Sequence, residues 1–128
     1  MIIASIQMYS TGDKERNLQT MDKYLEHINK AFPNIKMVVF PELAAHGSIS
    51  NMRKEAEVIP GELTSIFSNM ANKYNLLLIP GSIYEKSDND IFNTTPVFSS
   101  DGDLLGKYRK RYPWRPNEKT TPGGTHFT

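Results

Sequence analysis

The stretch IFNTTPVFSSDGDLLGKYRKRY (Ile91–Tyr112) reads as two strands joined by a turn at Ser100-Asp101-Gly102-Asp103, where Gly102 supplies the positive φ such a turn needs. Its second half crowds four basic residues into five positions, Lys107, Arg109, Lys110 and Arg111. If Leu104–Tyr112 is a strand, side chains alternate between its faces. Lys107, Arg109 and Arg111 then share a solvated face, and Lys110 shares the other with Tyr108 and Tyr112. Periodicity leaves two readings of that lysine open. It is either an edge-strand lysine snorkelling between aromatic rings, or a cation held in a partly dry pocket for chemical use. Asn93-Thr94-Thr95 matches a glycosylation sequon, which we read as coincidence in a chain with no secretory signal.

Upstream the pattern is different. Ile2–Met8 (IIASIQM) reads as a strand buried on both faces. Asp13 is a helix N-cap, followed by an apolar stripe at Leu18, Met21, Leu25, Ile28 and Phe32 that Pro33 and Asn34 end. Met37–Phe40 (MVVF) is a second buried strand. A second helical stripe, Leu63, Ile66, Phe67, Met70 and Tyr74, is entered through Pro60 and Gly61, and LLLIPGSIYE (Leu76–Glu85) reads as a third strand. Strand–helix–strand–helix–strand is the signature of a sheet covered by crossover helices. The closing TTPGGTHFT is turn-rich, so the α/β layer looks like one face of something larger.

Composition excludes several classes. A chain of 128 residues with 38% hydrophobic and 23% charged content is an ordinary globular domain or part of one. Its net charge of +1, from 15 basic and 14 acidic residues, lacks the basic excess of a nucleic-acid binder. The N-terminus has no basic n-region, and no stretch is long and apolar enough to span a bilayer, so the expected location is cytoplasmic, with no membrane partner. There is no cysteine, hence no disulfide and no thiolate metal site. His27, His46 and His126 are scattered without ligand spacing, so no metal or other cofactor is expected, and His46 reads as a loop histidine near the surface.

Two carboxylates join Lys110 as candidates. Glu42, in VVFPEL, follows a buried strand at the end where ligands sit in open α/β sheets. Glu118, in RPNEKT, lies eight positions after Lys110 in a loop bracketed by prolines. Each taken alone is more ordinarily structural.

Together, VVFPEL, YRKRYPW and RPNE…PGG resemble the carbon–nitrogen hydrolase (nitrilase) superfamily, most of all its aliphatic amidase and formamidase branch. Gln7 after the first strand, the IPG before the second helix, LLLIPGSIYE and NTTPVFSSDGDLLGKYRK agree with it, in the same order along nearly the whole chain. The resemblance implies an α-β-β-α sandwich, of which residues 1–128 form the N-terminal part, ending before the strand that carries the nucleophile. It implies hydrolysis of small linear amides by Glu-Lys-Cys chemistry through a thioester, without a cofactor, in a homo-oligomer. Glu42 matches the general base, Lys110 the lysine, Glu118 the second glutamate and Trp114 a pocket wall, with Tyr108 beside Lys110 at the substrate. The family's cysteine has no counterpart here, and Ser48, Ser50 and Thr125 are poor substitutes, since an alkoxide needs a dedicated base and no serine motif surrounds them. Leu43 stands where the aliphatic amidases often carry an aromatic residue. The expectation is therefore an amidase lacking its nucleophile. The alternatives are an inactive remnant that needs a partner or, more weakly, a small anion-binding module.

Overall fold

The computed structural model describes residues 1–47 and 51–128. Its elements run β1 (Ile2–Ser5), α1 (Lys14–Ala31), β2 (Ile35–Val39), α2 (Met52–Glu55), α3 (Glu62–Tyr74), β3 (Leu77–Ile79), β4 (Ile83–Ser87), β5 (Asp90–Phe98) and β6 (Leu104–Arg109). β1, β2 and β3 are parallel neighbours, as short apolar strands separated by helices should be. The rest of the sheet is antiparallel: β5 takes β3 and then β4 along one edge and β6 along the other.

The two long helices form for the reasons their sequences suggest. The Asp13 carboxylate accepts from the Arg16 amide and caps α1, a contact worth about 1 kcal/mol. Met21, Leu25 and Ile28 turn inward from α1, and Leu63, Phe67, Met70 and Tyr74 from α3. Asn75, in the left-handed region at φ 51, closes α3 by donating to Ala71 and Asn72 carbonyls. Both helices lie on one face of the sheet, where their stripes meet Val38, Leu78, Ile83 and Phe98 in a single core. On the opposite face no layer among the described residues covers Met37, Val39, Leu77, Ile79 and Tyr108, and Ile3 stays 54% exposed.

Three expectations need correcting. Ile2–Met8 is not buried on both faces: β1 is the edge strand, paired only with β2 and half in solvent. Phe32 caps α1 rather than extending its stripe and is exposed, because the chain turns away there. Leu76–Glu85 is two strands, since Pro80-Gly81 interrupts the pairing; proline cannot donate to the ladder and Gly81 sits at φ 83. The Ser100–Asp103 turn forms as expected, with Gly102 at φ 89.

Candidate active site

Glu42 is presented by a turn that its neighbours hold rigidly. The last ladder bond of this segment runs from the Phe40 amide to the Ile79 carbonyl, after which Pro41 stops the pairing. The chain then winds once through residues 41–47, with the Gly47 amide donating to the Leu43 carbonyl. Leu43 takes φ 52, a left-handed conformation unusual for a branched residue, and its amide donates to Ser82 Oγ at 3.1 Å. Gly81 lies against this turn so closely that a Cβ there would sit 2.0 Å from the Pro41 carbonyl oxygen. His46 belongs to the same turn. It is 1% exposed rather than a surface loop residue, its ring centroid lies 5.4 Å from that of Tyr84, and burial, with Lys14 nearby, pushes its pKa down to about 4.

Lys110 comes one residue beyond β6, yet its backbone stays in register. Its amide donates to the Asn93 carbonyl at 2.7 Å, and its own carbonyl accepts from Gly123 of the Pro-Gly-Gly segment. The side chain therefore emerges on the uncovered face, and its ammonium lies 2.9 Å from Glu42 Oε1 and 2.8 Å from Glu118 Oε2. Glu118 is brought in by a tight turn: its amide donates to the Trp114 carbonyl, and its Oε2 accepts from the Trp114 amide. Arg115 braces the same turn through the Glu118 and Thr120 carbonyls. Burial opposes the charged form of Glu118, but Lys110, the Trp114 amide, Asn93 and Thr120 outweigh it and hold the carboxyl at about 2. Hydrogen bonds to Glu118 and Glu42 raise the Lys110 pKa in turn, so the ammonium is permanent at neutral pH.

The three candidates thus converge, and Trp114 stands beside them, 70% exposed, on the wall of a cavity of about 450 Å³ with Leu43, Tyr84 and Asn117. Tyr108 is on the same sheet face but lines the adjoining hollow, with Val39, Ile79 and Thr95. Tyr112 swings out to solvent because the strand ends at Arg109; the ring near Lys110 is that of Tyr84.

The solvated basic face does not exist as expected. Lys107 and Arg109 both bind Glu85, which is 2% exposed on the helix-covered face, and Arg109 also lies 3.9 Å over the Phe92 ring. Only Arg111 of the three is exposed. Burial works against ionised Glu85, but Arg109, Lys107 and Thr94 bring its pKa to about 2. Sequence reading missed Glu85, and also Asn93, whose side chain reaches both Glu42 and Glu118. Ser48 and Ser50 lie outside the described residues, and Thr125 is in the turn-rich end. Among the described residues no group of three His, Cys, Asp or Glu side chains is placed to hold a metal ion, and no helix is long and apolar enough to cross a membrane.

An ammonium clamped between two carboxylates beside an open cavity is placed to stabilise a developing negative charge, and the chain is similar to several known proteins. The omega-amidase NIT3 of Saccharomyces cerevisiae is 38% identical over 117 residues, covering 84% of this chain and 40% of the relative. The human omega-amidase NIT2 is 34% identical over 110 residues, again covering 84% of this chain but 39% of the relative. The crystal structure of S. cerevisiae Nit3, from the nitrilase superfamily, superposes with a TM-score of 0.85 at 35% identity, over 95% of this chain and 48% of that one. The chain spans about half the length of the relatives it matches, and its helix-covered sheet is the corresponding part of their α/β fold. The carbon–nitrogen hydrolase family model matches residues 2–127, and it is to that family that this chain belongs.

Proposed function

We propose that this chain supplies the base, the cation and the orienting carboxylate for hydrolysis of small linear amides. The observation that carries the reading is Lys110 held at 2.9 and 2.8 Å by Glu42 and Glu118 at the mouth of an open cavity. Relatives named as omega-amidases support a terminal carboxamide as the scissile group. A cysteine, absent from these 128 residues, must come from the second half of the fold. Glu42 takes the thiol proton, and the thiolate attacks the amide carbon. The oxyanion formed is stabilised by the Lys110 ammonium while Glu118 orients the substrate amide. Collapse expels ammonia, protonated through Glu42, and leaves a thioester. Glu42 then activates water, which releases the carboxylic acid and regenerates the thiol.

It follows that the chain alone is inactive and needs a partner layer. The uncovered apolar face supports association, either with the remaining half of the fold or between copies in a homo-oligomer. A cytoplasmic site of action belongs to the same reading. The anion-binding alternative is the weaker reading, since Lys107 and Arg109 both turn to the single Glu85 carboxylate rather than outward as a free basic row.

The test is to continue residues 1–128 into the second half of a carbon–nitrogen hydrolase, cysteine strand included. That protein should release ammonia from a small linear amide, be blocked by thiol reagents, and lose activity about 10²–10⁴-fold on Glu42→Gln. Thiol-insensitive ammonia release by the 128-residue chain itself would refute the mechanism.

A further inference from the structure

Asn93 is a polar side chain at the centre of the site to which the mechanism above gives no task. It is 3% exposed, and it sits on β5 directly across from Lys110, whose amide its carbonyl holds. Its side-chain nitrogen donates to Glu42 Oε1 at 2.6 Å and to Glu118 Oε1 at 3.0 Å. A carboxylate can only accept, so the nitrogen and not the oxygen of the amide must face the two glutamates. Lys110 donates to the same Glu42 Oε1 and to Glu118 Oε2. Two donors and two carboxylates therefore close a ring: Glu42, Lys110, Glu118, Asn93 and back to Glu42.

The ring leaves the two glutamates in unequal states. Both Glu118 oxygens are occupied, Oε1 by Asn93 and Thr120, Oε2 by Lys110 and the Trp114 amide. On Glu42, Oε1 receives both ring donors, while Oε2 receives none among the described residues. We infer that Asn93 is a positioning residue that fixes Glu42 through Oε1 and so reserves Oε2 as the proton-accepting oxygen. This rests on Glu42 being the base. The ammonium alone would pin one carboxylate oxygen yet leave the Glu42 carboxyl plane free to swing about that contact. The second donor, from the neighbouring strand, removes that freedom. It does so without adding charge, so the site keeps its net negative balance of two carboxylates and one ammonium.

The inference is tested on the 128-residue chain by NMR, independently of turnover. In the unaltered protein, through-hydrogen-bond correlations should link Asn93 Nδ2 to the side-chain carboxyl carbons of both Glu42 and Glu118; the absence of the Glu42 correlation would overturn the inference. In Asn93→Leu, of similar size but without donors, the Glu118 carboxyl should titrate higher than its native value of about 2, by on the order of one pH unit. Glu85, at about 2 on the opposite face of the sheet, is the internal control and should not move. If Glu118 stays put, or if Glu85 shifts with it, Asn93 serves packing rather than the ring. An inactive extended enzyme with both correlations intact would instead sink the assignment of Glu42 and leave the ring standing.

Discussion

Two ionic clusters lie back to back on the β5–β6 ribbon, one residue apart in each strand. On the helix-covered face the cross-strand pair Thr94 and Arg109, with Lys107, surrounds a single carboxylate, Glu85. On the uncovered face Asn93 and Lys110 bracket two carboxylates, Glu42 and Glu118. Both use the same local device, a neutral donor on β5 with a cation in register across from it. Their surroundings differ. Glu85 is 2% exposed, so its partners offset the cost of burying it, and any one of them left alone would be destabilising. The Glu42 side chain is 54% exposed, has no such desolvation to repay, and keeps one oxygen without a donor among the described residues. The same ribbon therefore carries a buried ion cluster on one side and, on the other, the exposed one to which we assign the chemistry.

The sharpest way to break this contrast is to remove one carboxylate from each side. Glu85→Gln should cost about 3 kcal/mol in urea unfolding, toward the low end for a buried pair because Lys107 and Arg109 reach water. Glu42→Gln should cost under about 1 kcal/mol, as exposed ion pairs do. Equal costs would mean the two clusters are energetically alike. The acid limb carries the same signature. Glu85 is held at about 2 when folded, below the ordinary glutamate range near 4.3, so its contribution is complete above about pH 4.3 and is lost as pH falls toward 2. In Glu85→Gln that part of the acid limb should vanish.

Next in size is Gly81→Ala. With φ 83 and a Cβ 2.0 Å from the Pro41 carbonyl, alanine must push the Glu42 turn away, at about 2 kcal/mol. Thermal melts measure the loss, and weakened Lys110–Glu42 contact should accompany it. A stability unchanged within error would show that the turn is not held from Gly81.

His46 gives a smaller, pH-dependent effect. Its folded pKa of about 4 lies below the ordinary value near 6.5, so the unfolded chain binds more protons between those limits. The native state is then fully favoured above about pH 6.5 and loses about 1–2 kcal/mol by pH 5. His46→Phe should flatten that slope in urea titrations at pH 7 and pH 5, and a slope unaltered by the substitution would place the titration elsewhere.

Much of this was legible in the residues. The two helical stripes and the Gly102 turn follow from periodicity and turn chemistry, because each is set by neighbours within a few positions, and the parallel pairing follows from the helices that separate the strands. Alternation also placed Lys110 correctly opposite Lys107 and Arg109, although it predicted a strand running on to Tyr112. What stayed hidden depends on distant partners. A glutamate in SIYE gives no sign of burial until Lys107 and Arg109, more than twenty residues later, fold across it. Asn93 looked like a chance sequon because its acceptors come from residues 42 and 118. His46 looked like surface because Tyr84, the ring it packs on, lies on a strand that sequence reading fused with β3. Pro80-Gly81 was the one available signal for that break.

We propose that, of the adjacent cations Arg109 and Lys110, one holds the fold and the other performs the chemistry. In residues 1–128 extended through the cysteine strand, Lys110→Ala and Arg109→Ala should be compared for ammonia release and for thermal stability together. Lys110→Ala should lower turnover by about 10²–10³-fold or more with little change in melting. Arg109→Ala should lower the melting temperature while turnover below that temperature stays near the parent value. Equal, mild losses of turnover from both substitutions would contradict the account.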